Sequence, residues 1–306
     1  MSKNYVMNDT YLTGALYSAL AGVGFGVFQA FNRKARAGFS IYWATFILLL
    51  VSAVLLAIGS ILTEDLNLLL LAPASVFINF GLAGIIHFFL GWTLLNISQN
   101  RVGAARTGAL VGATPLFATL IAALAFDEIP SLPVLAGIVT VVAGVYFVSV
   151  SGKNEANPVK FSWRDSIYGL GVALCFSISP IFIRGGLDEM DSPLLGVTVG
   201  MAMSAVAYGI ILLLRRERIN LRQIPRESLY YQLAAGLFVG SSTWIRWLAL
   251  TMTPVAVVLA LGRVNVPIVI ILSIFLVGQK EERVTNRVWL GAALVVAGSL
   301  LLIFTR

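Results

Sequence analysis

Four ionisable side chains lie inside long apolar stretches of this chain, where a charge is costly and usually faces a cavity with a function. Arg263 lies about nine residues into the apolar run 254–277, which is roughly 13 Å deep if the run is helical. Arg106 and Arg246 lie about one turn from an end of their runs, so each could instead extend its charged head to the polar end. His87 is near the middle of its run, where it either binds a ligand or is hydrogen-bonded to a backbone carbonyl.

The chemistry that a buried guanidinium suits best is anion binding, because its planar donor fork matches a carboxylate or a phosphate. No Asp or Glu lies inside an apolar run, so Arg263 has no carboxylate at its own depth. An unpaired buried cation is strongly unfavourable, and we expect a ligand anion, carbonyl oxygens or water to supply the counter-charge. The alternative is that Arg263 pairs with Glu128 or with another acid at the end of a helix.

The lack of buried acids also disfavours a cationic ligand, which would need a buried carboxylate. At depth only His87 titrates near neutral pH, so coupling to protons, exchange against a counter-substrate and facilitated diffusion all stay open. A catalytic centre needs a convergent nucleophile, base or metal cluster, and this chain has one histidine and one cysteine. We therefore expect no enzyme, no metal site and no cofactor.

Aromatic and amide side chains could form the walls of a cavity around these charges: Trp92, Trp244, Trp43, Tyr42 and Asn265. Trp244 and Trp247 are three residues apart and so share one face of a helix. Alternatively, the rings pack helices together or mark a membrane interface, and Asn265 joins helices by hydrogen bonding.

The elements that carry these residues are predicted to be membrane-spanning helices. The 306 residues are 58% hydrophobic and 11% charged, with a mean hydropathy of +0.91, and the apolar residues come in blocks long enough to cross a bilayer. Ten spans are expected, near 11–31, 39–62, 75–97, 102–125, 131–150, 166–184, 193–214, 229–250, 254–277 and 286–304. The net charge of +7 comes from short basic runs at the ends of these blocks, which indicates membrane topology and no nucleic-acid partner.

The two halves of the chain repeat each other. "LAGIIHFFLGW" (82–92) matches "AAGLFVGSSTW" (234–244), and the same offset matches Pro115 to Pro267. Each half holds five spans, and an odd number inserts the second half upside down. The predicted fold is an all-α polytopic membrane protein with two inverted five-helix repeats, 1–153 and 154–306.

The sequence resembles the ten-span EamA-like branch of the drug/metabolite transporter superfamily over essentially its whole length. The resemblance is carried by two proline-to-acid segments, 115–128 and 267–281, each followed by a helix of small residues, 135–147 and 290–302. It implies a secondary transporter of small organic solutes whose cavity is lined by the first four helices of each repeat. It does not name the substrate.

The orientation of the chain has two conflicting predictions. Basic residues concentrate in the connections 32–38, 98–102, 151–165, 215–228 and 278–287. The positive-inside rule places these connections in the cytoplasm and both termini outside. The family resemblance implies the reverse, with both termini inside.

We expect a secondary or facilitative transporter of a small carboxylate or phosphate metabolite, anionic or zwitterionic, that works by alternating access around Arg263. Arg106, Arg246 or His87 would assist. The alternatives are a broad exporter of amino acids or drugs with structural arginines, a lipid-phosphate flippase and, least favoured, a membrane enzyme. The expected partners are a small molecule, the lipid bilayer and either protons or a counter-substrate, and the expected location is a bacterial or archaeal cytoplasmic membrane, as a monomer or a homodimer.

Overall fold

All regular structure in the described part of the chain is helical. The computed structural model describes residues 9–35, 39–102, 104–151, 163–216, 219, 224–276 and 285–304. The first half contains α1 (Asp9–Ala35), α2 (Ile41–Thr63), the short α3 (Asn67–Leu71), α4 (Ala74–Gly84), a π-helical segment (Ile85–Gly91), α5 (Trp92–Val102), α6 (Ala104–Gly112), α7 (Thr114–Phe126) and α8 (Leu132–Ser151). The second half contains α9 (Trp163–Glu189), α10 (Pro193–Arg215), α11 (Arg226–Met252), α12 (Val255–Leu261), a 3-10 turn (Gly262–Val264), α13 (Asn265–Leu276) and α14 (Asn286–Phe304).

These helices confirm the predicted polytopic membrane architecture. Among the described residues, eight helices are long and apolar enough to cross a membrane, and two shorter apolar segments, Leu110–Phe126 and Leu132–Val148, add to them. Large apolar side chains such as Leu124 and Phe275 point outward, as expected where the surrounding solvent is lipid. One predicted end is wrong: the sixth span does not stop at 184 but continues as α9 to Glu189.

Two of the predicted spans are interrupted near a proline. The fourth span breaks at Ala113 into α6 and α7, with Pro115 in the first turn of α7. The ninth span tightens into the 3-10 turn just before Pro267. Proline has no N–H for the carbonyl four residues earlier, so the helix cannot keep its regular bonding at these points. Both breaks lie well inside their spans.

The packing of α8 against α14 shows how the two halves are related. A Cβ added to Gly144 would lie 2.6 Å from the carbonyl oxygen of Gly291, and one added to Gly298 would lie 2.9 Å from that of Gly137. An offset of 154 residues maps each of these contacts onto the other, and the pairing is antiparallel. Other helix contacts follow the same relation. Helix α2 packs against its counterpart α10, and the contact between α1 and α11 has its counterpart in the contact between α9 and α4. The halves are therefore inverted copies; the predicted boundary at 153/154 lies outside the described residues.

Candidate functional site

Arg263 lies in the 3-10 turn between α12 and α13, and its Nη2 donates a hydrogen bond to the carbonyl oxygen of Val111 at 3.0 Å. Pro115 leaves this carbonyl without its helical donor, and the Thr114 hydroxyl also bonds to it, at 2.6 Å. Val111 lies 152 residues before Arg263 and is its counterpart in the repeat. A side chain that touches its own counterpart lies close to the two-fold axis. For inverted repeats that axis lies in the plane of the membrane, so Arg263 lies near its middle.

The backbone beside Arg263 is tightly packed on one side and open on the other. On α1, a Cβ added to Gly22 would lie 3.0 Å from the carbonyl oxygen of Gly262, and one added to Gly26 would lie 3.1 Å from that of Asn265. These glycines allow α1 to approach the 3-10 turn closely. A Cβ added to Gly262 would meet no atom within 4 Å, so there is open space beside the residue that precedes Arg263.

Arg246 and His87 come together from α11 and from the π-helical segment. Arg246 Nη2 lies 3.1 Å from His87 Nε2, and His87 Nδ1 lies 2.9 Å from the Ser179 hydroxyl. A guanidinium can only donate, so Nε2 is the acceptor and Nδ1 carries the proton toward Ser179. The imidazole is therefore neutral in this network. π-Helical turns are frequent at functional sites, and this one carries His87.

Aromatic rings enclose these polar groups. The ring of Phe176 stacks on His87 with centroids 4.3 Å apart, and Phe88 packs edge-on at 4.8 Å. The Arg246 guanidinium lies over the Phe25 ring, 5.1 Å from its centroid, which is cation–π geometry. His87 is only 5% exposed, so water has little access to the network. The low polarity of these surroundings strengthens any electrostatic contact with a ligand.

We define the arginine site as Arg263, Arg246, His87 and Ser179. Two of its buried polar atoms have no hydrogen-bond partner, Nε of Arg246 and Nε of Arg263. Oδ1 of Asn265 is also buried without a partner, but Asn265 follows Arg263 by two helical residues and so points away from its side chain, and its role in ligand binding stays a prediction. The two guanidiniums interact electrostatically with each other and with His87. Among the described residues, no carboxylate pairs with either of them. The site therefore offers positive charge and free donors, and it can bind an anion.

The structure places other predicted residues elsewhere. Tyr42 and Trp43 lie in the first turn of α2, where Arg215 stacks over Tyr42 at 4.3 Å and Phe46 packs against Trp43 at 5.7 Å. The first turn of a 23-residue helix is roughly 15 Å from its middle, so these rings lie away from Arg263, and their role in lining the cavity stays a prediction. Arg106 lies on α6, and its side chain falls outside the described part of the chain.

The tryptophans predicted to wall the cavity have different surroundings. Trp92 packs against Phe28 and Phe88, with centroids 6.1 and 5.5 Å apart, beside the ring that touches His87. Trp244 is 36% exposed, and its position two residues from Arg246 on a helix points it away from His87. Trp247 is fully buried. Trp244 and Trp247 therefore have different surroundings, and their role as walls of one cavity stays a prediction.

The residue that sequence reasoning missed is Arg184, which was assigned to the end of a span. It is 9% exposed and forms an ion pair with Glu128, while Nε donates to the Leu250 carbonyl at 3.2 Å and Nη2 to that of Thr253 at 2.9 Å. Glu128 also accepts a bond from the backbone N–H of Val255 at 3.1 Å. The alternative pairing of Arg263 with Glu128 is therefore wrong. Past Arg184 only Gly185, Gly186 and Leu187 precede the acid Asp188, so the apolar pattern along the chain gave no signal for this residue.

A cavity of about 1040 Å³ opens beside this ion pair, at the end of the bundle where α7, α9 and α11 finish. It is lined by residues from both halves, among them Tyr11 of α1 and Asp188 of α9, and Arg184 and Glu128 form part of its wall. The pair joins the end of α7 in the first half to α9, α11 and α12 in the second half. It therefore holds the two repeats together at this end.

Comparisons with known proteins agree with the repeats. The model of the EamA-like transporter family matches the chain twice, over residues 12–150 and 164–304. A solved structure titled "Crystal structure of protein" is similar with a TM-score of 0.74 and 14% identity, over 95% of this chain and 96% of that chain. At this identity the likeness concerns the fold alone. The search of curated proteins gives no match.

Proposed function

This chain belongs to the EamA-like transporter family, and we propose that it carries a small carboxylate or phosphate metabolite, anionic or zwitterionic, through the arginine site by alternating access. Family membership makes the chain an integral membrane transporter. The class of substrate and the manner of transport are what we propose.

Two partly buried guanidiniums, each with a buried Nε atom, lack a carboxylate partner among the described residues, and they carry this proposal. Arg263 uses one donor on the Val111 carbonyl and Arg246 uses one on His87, and the Nε atom of each remains free in a buried position. A buried donor without a partner is costly, so a ligand oxygen that accepts from it is bound favourably. The open space beside Gly262 gives such a ligand room next to Arg263.

Ligand binding is tested first with purified protein, by thermal shift against carboxylates, phosphates, amino acids and organic cations. We expect carboxylates or phosphates to raise the melting temperature, because a ligand at 100 times its Kd adds about 2.7 kcal/mol of stability. Stabilisation by organic cations alone would contradict the proposed substrate class.

Transport is then measured in proteoliposomes with the ligand found. Arg263→Ala should nearly abolish uptake and Arg263→Lys should impair it, because losing one partner of a buried charged contact costs about 2–5 kcal/mol, roughly 30-fold or more in affinity. Arg101→Ala is the matched control, since Arg101 pairs with Asp165 at the exposed end of α5. Normal uptake by a folded Arg263→Ala variant would contradict the proposed role.

The broad exporter remains the second candidate, and the bond from Arg263 to the Val111 carbonyl favours it, because this contact can serve the fold alone. In that case Arg263→Ala lowers the melting temperature, and the folded fraction still transports. Loss of ligand-induced stabilisation, together with loss of transport by the folded fraction, distinguishes the anion transporter.

A further inference from the structure

We infer that the arginine site takes a ligand with two negative charges, such as a dicarboxylate or a phosphate monoester, in preference to a zwitterion or a monoanion. This inference rests on the proposed function and narrows its substrate class. It follows from the number of cations at the site, the neutrality of His87 and the location of the acids.

The site contains two cations. Arginine stays protonated in proteins, and both arginines adjoin one turn of α1: Arg246 lies over the Phe25 ring, and the backbone of Asn265, two residues after Arg263, lies against Gly26. His87 adds no third charge, because its Nε2 accepts the bond from Arg246 and its one proton points to Ser179. The positive charge that a ligand must meet is therefore two.

Nothing in the described part of the chain compensates this charge. Glu128 is already paired with Arg184 at the end of the bundle, and Asp165 is paired with Arg101 at an exposed end of α9. A zwitterion would bring an ammonium group to a site with two guanidiniums and without a described carboxylate to receive it. A monoanion would leave one partly buried guanidinium, with its buried Nε atom, uncompensated.

The donors are distributed in a way that suits two oxyanion groups. Each guanidinium has five N–H donors in a planar fork, and in each of them one Nη2 is occupied by a protein acceptor. The buried Nε of each is unpartnered, so each arginine presents a free donor of its own. The two groups of a dicarboxylate, or several oxygens of one phosphate, can each bind a different arginine.

A series of small ligands that are similar in size and differ in charge tests this inference. The probes are succinate, its monoamide succinamate and the zwitterion β-alanine, measured by calorimetry on the full-length wild-type protein, with glycerol phosphate and its methyl diester as the phosphate pair. We expect succinate or glycerol phosphate to bind at least tenfold more tightly than its singly charged analogue, and β-alanine to bind more weakly than either. The pair that shows the preference identifies the ligand as a carboxylate or a phosphate.

Equal affinity for the doubly and singly charged members of both pairs would overturn the inference and leave the proposed function standing. Binding of none of the anions would overturn both. Arg246→Gln should reduce the affinity for the dianion to that for the monoanion, whereas Arg246→Lys should keep the preference. If Arg246→Gln does not fold, the wild-type series still decides the question, and Arg101→Ala should reproduce the wild-type ratio.

Discussion

Replacing Arg184 with alanine is predicted to destabilise the protein more than any loss of a surface ion pair. Arg184 and Glu128 have side chains only 10% and 12% exposed, so their attraction is weakly screened by solvent. The change removes the ion pair and the bonds to the carbonyls of Leu250 and Thr253 together. It leaves Glu128 with the backbone N–H of Val255 as its remaining partner among the described residues.

The expected loss is about 3–5 kcal/mol in the free energy of unfolding, which is typical when one partner of a buried ion pair is removed. Taking about 2 °C per kcal/mol for a chain of this size, the melting midpoint should fall by about 6–10 °C. The assay is thermal unfolding of the purified protein in detergent, followed by the fluorescence of its buried tryptophans.

Two further variants make the result specific. Arg101→Ala removes an arginine that is 52% exposed from its pair with Asp165, and should cost less than about 1 kcal/mol. Combining Arg184→Ala with Glu128→Gln should recover part of the loss, because the uncompensated carboxylate is gone. The reasoning is refuted if Arg184→Ala melts within 2 °C of the wild type, a limit of about 1 kcal/mol on the same scale. It is equally refuted if the double variant is as unstable as the two single losses added together.

Two other predictions concern the helix contacts and the imidazole. Gly84→Ala should prevent folding or lower the melting midpoint strongly, because its Cβ would lie 2.2 Å from the Gly200 carbonyl oxygen. Gly262→Ala should fold normally, since no atom lies within 4 Å of its Cβ. Comparable yields and melting temperatures for the two variants would contradict this. A pH gradient should not drive uptake through His87. Protonation of Nε2 would remove the acceptor of the bond from Arg246 and would place a further positive charge beside that guanidinium. Proteoliposomes with an imposed gradient test this, and a gradient response that is present in the wild type and lost in His87→Ala would refute it.

Much of the fold could be predicted from the sequence because its signals are local or periodic. Blocks of about 20 apolar residues predict spanning helices from the thickness of the bilayer alone. The repeated glycines and prolines predict two inverted halves, and the antiparallel contacts of Gly144 with Gly291 and of Gly137 with Gly298 bear this out. The sequence also predicts that Arg263 needs a counter-charge or a carbonyl, since the cost of burying a cation does not depend on the details of packing.

What could not be predicted depends on contacts between distant segments. The sequence identifies Val111 as the counterpart of Arg263 and Pro115 as a source of a free carbonyl, but it does not show that the three meet. The ion pair between Arg184 and Glu128 was not predicted, because the sixth span was ended at its first charged residue, Arg184. An arginine with little exposure can lie inside a helix when a carboxylate from another segment forms an ion pair with it. No pattern along the sequence indicates which distant residues form such a pair.

The position of Arg263 also accounts for a difference between the two repeats. Its guanidinium reaches the backbone of Val111, so an arginine at both positions would bring two guanidiniums to one place near the two-fold axis. Their repulsion would be strong in surroundings of low polarity, whereas the carbonyl freed by Pro115 is an acceptor that a guanidinium can use. The second cation of the site comes from a different element, Arg246 of α11, which bonds to His87. A symmetric scaffold thus carries an asymmetric site, because two like charges on the axis could not be accommodated.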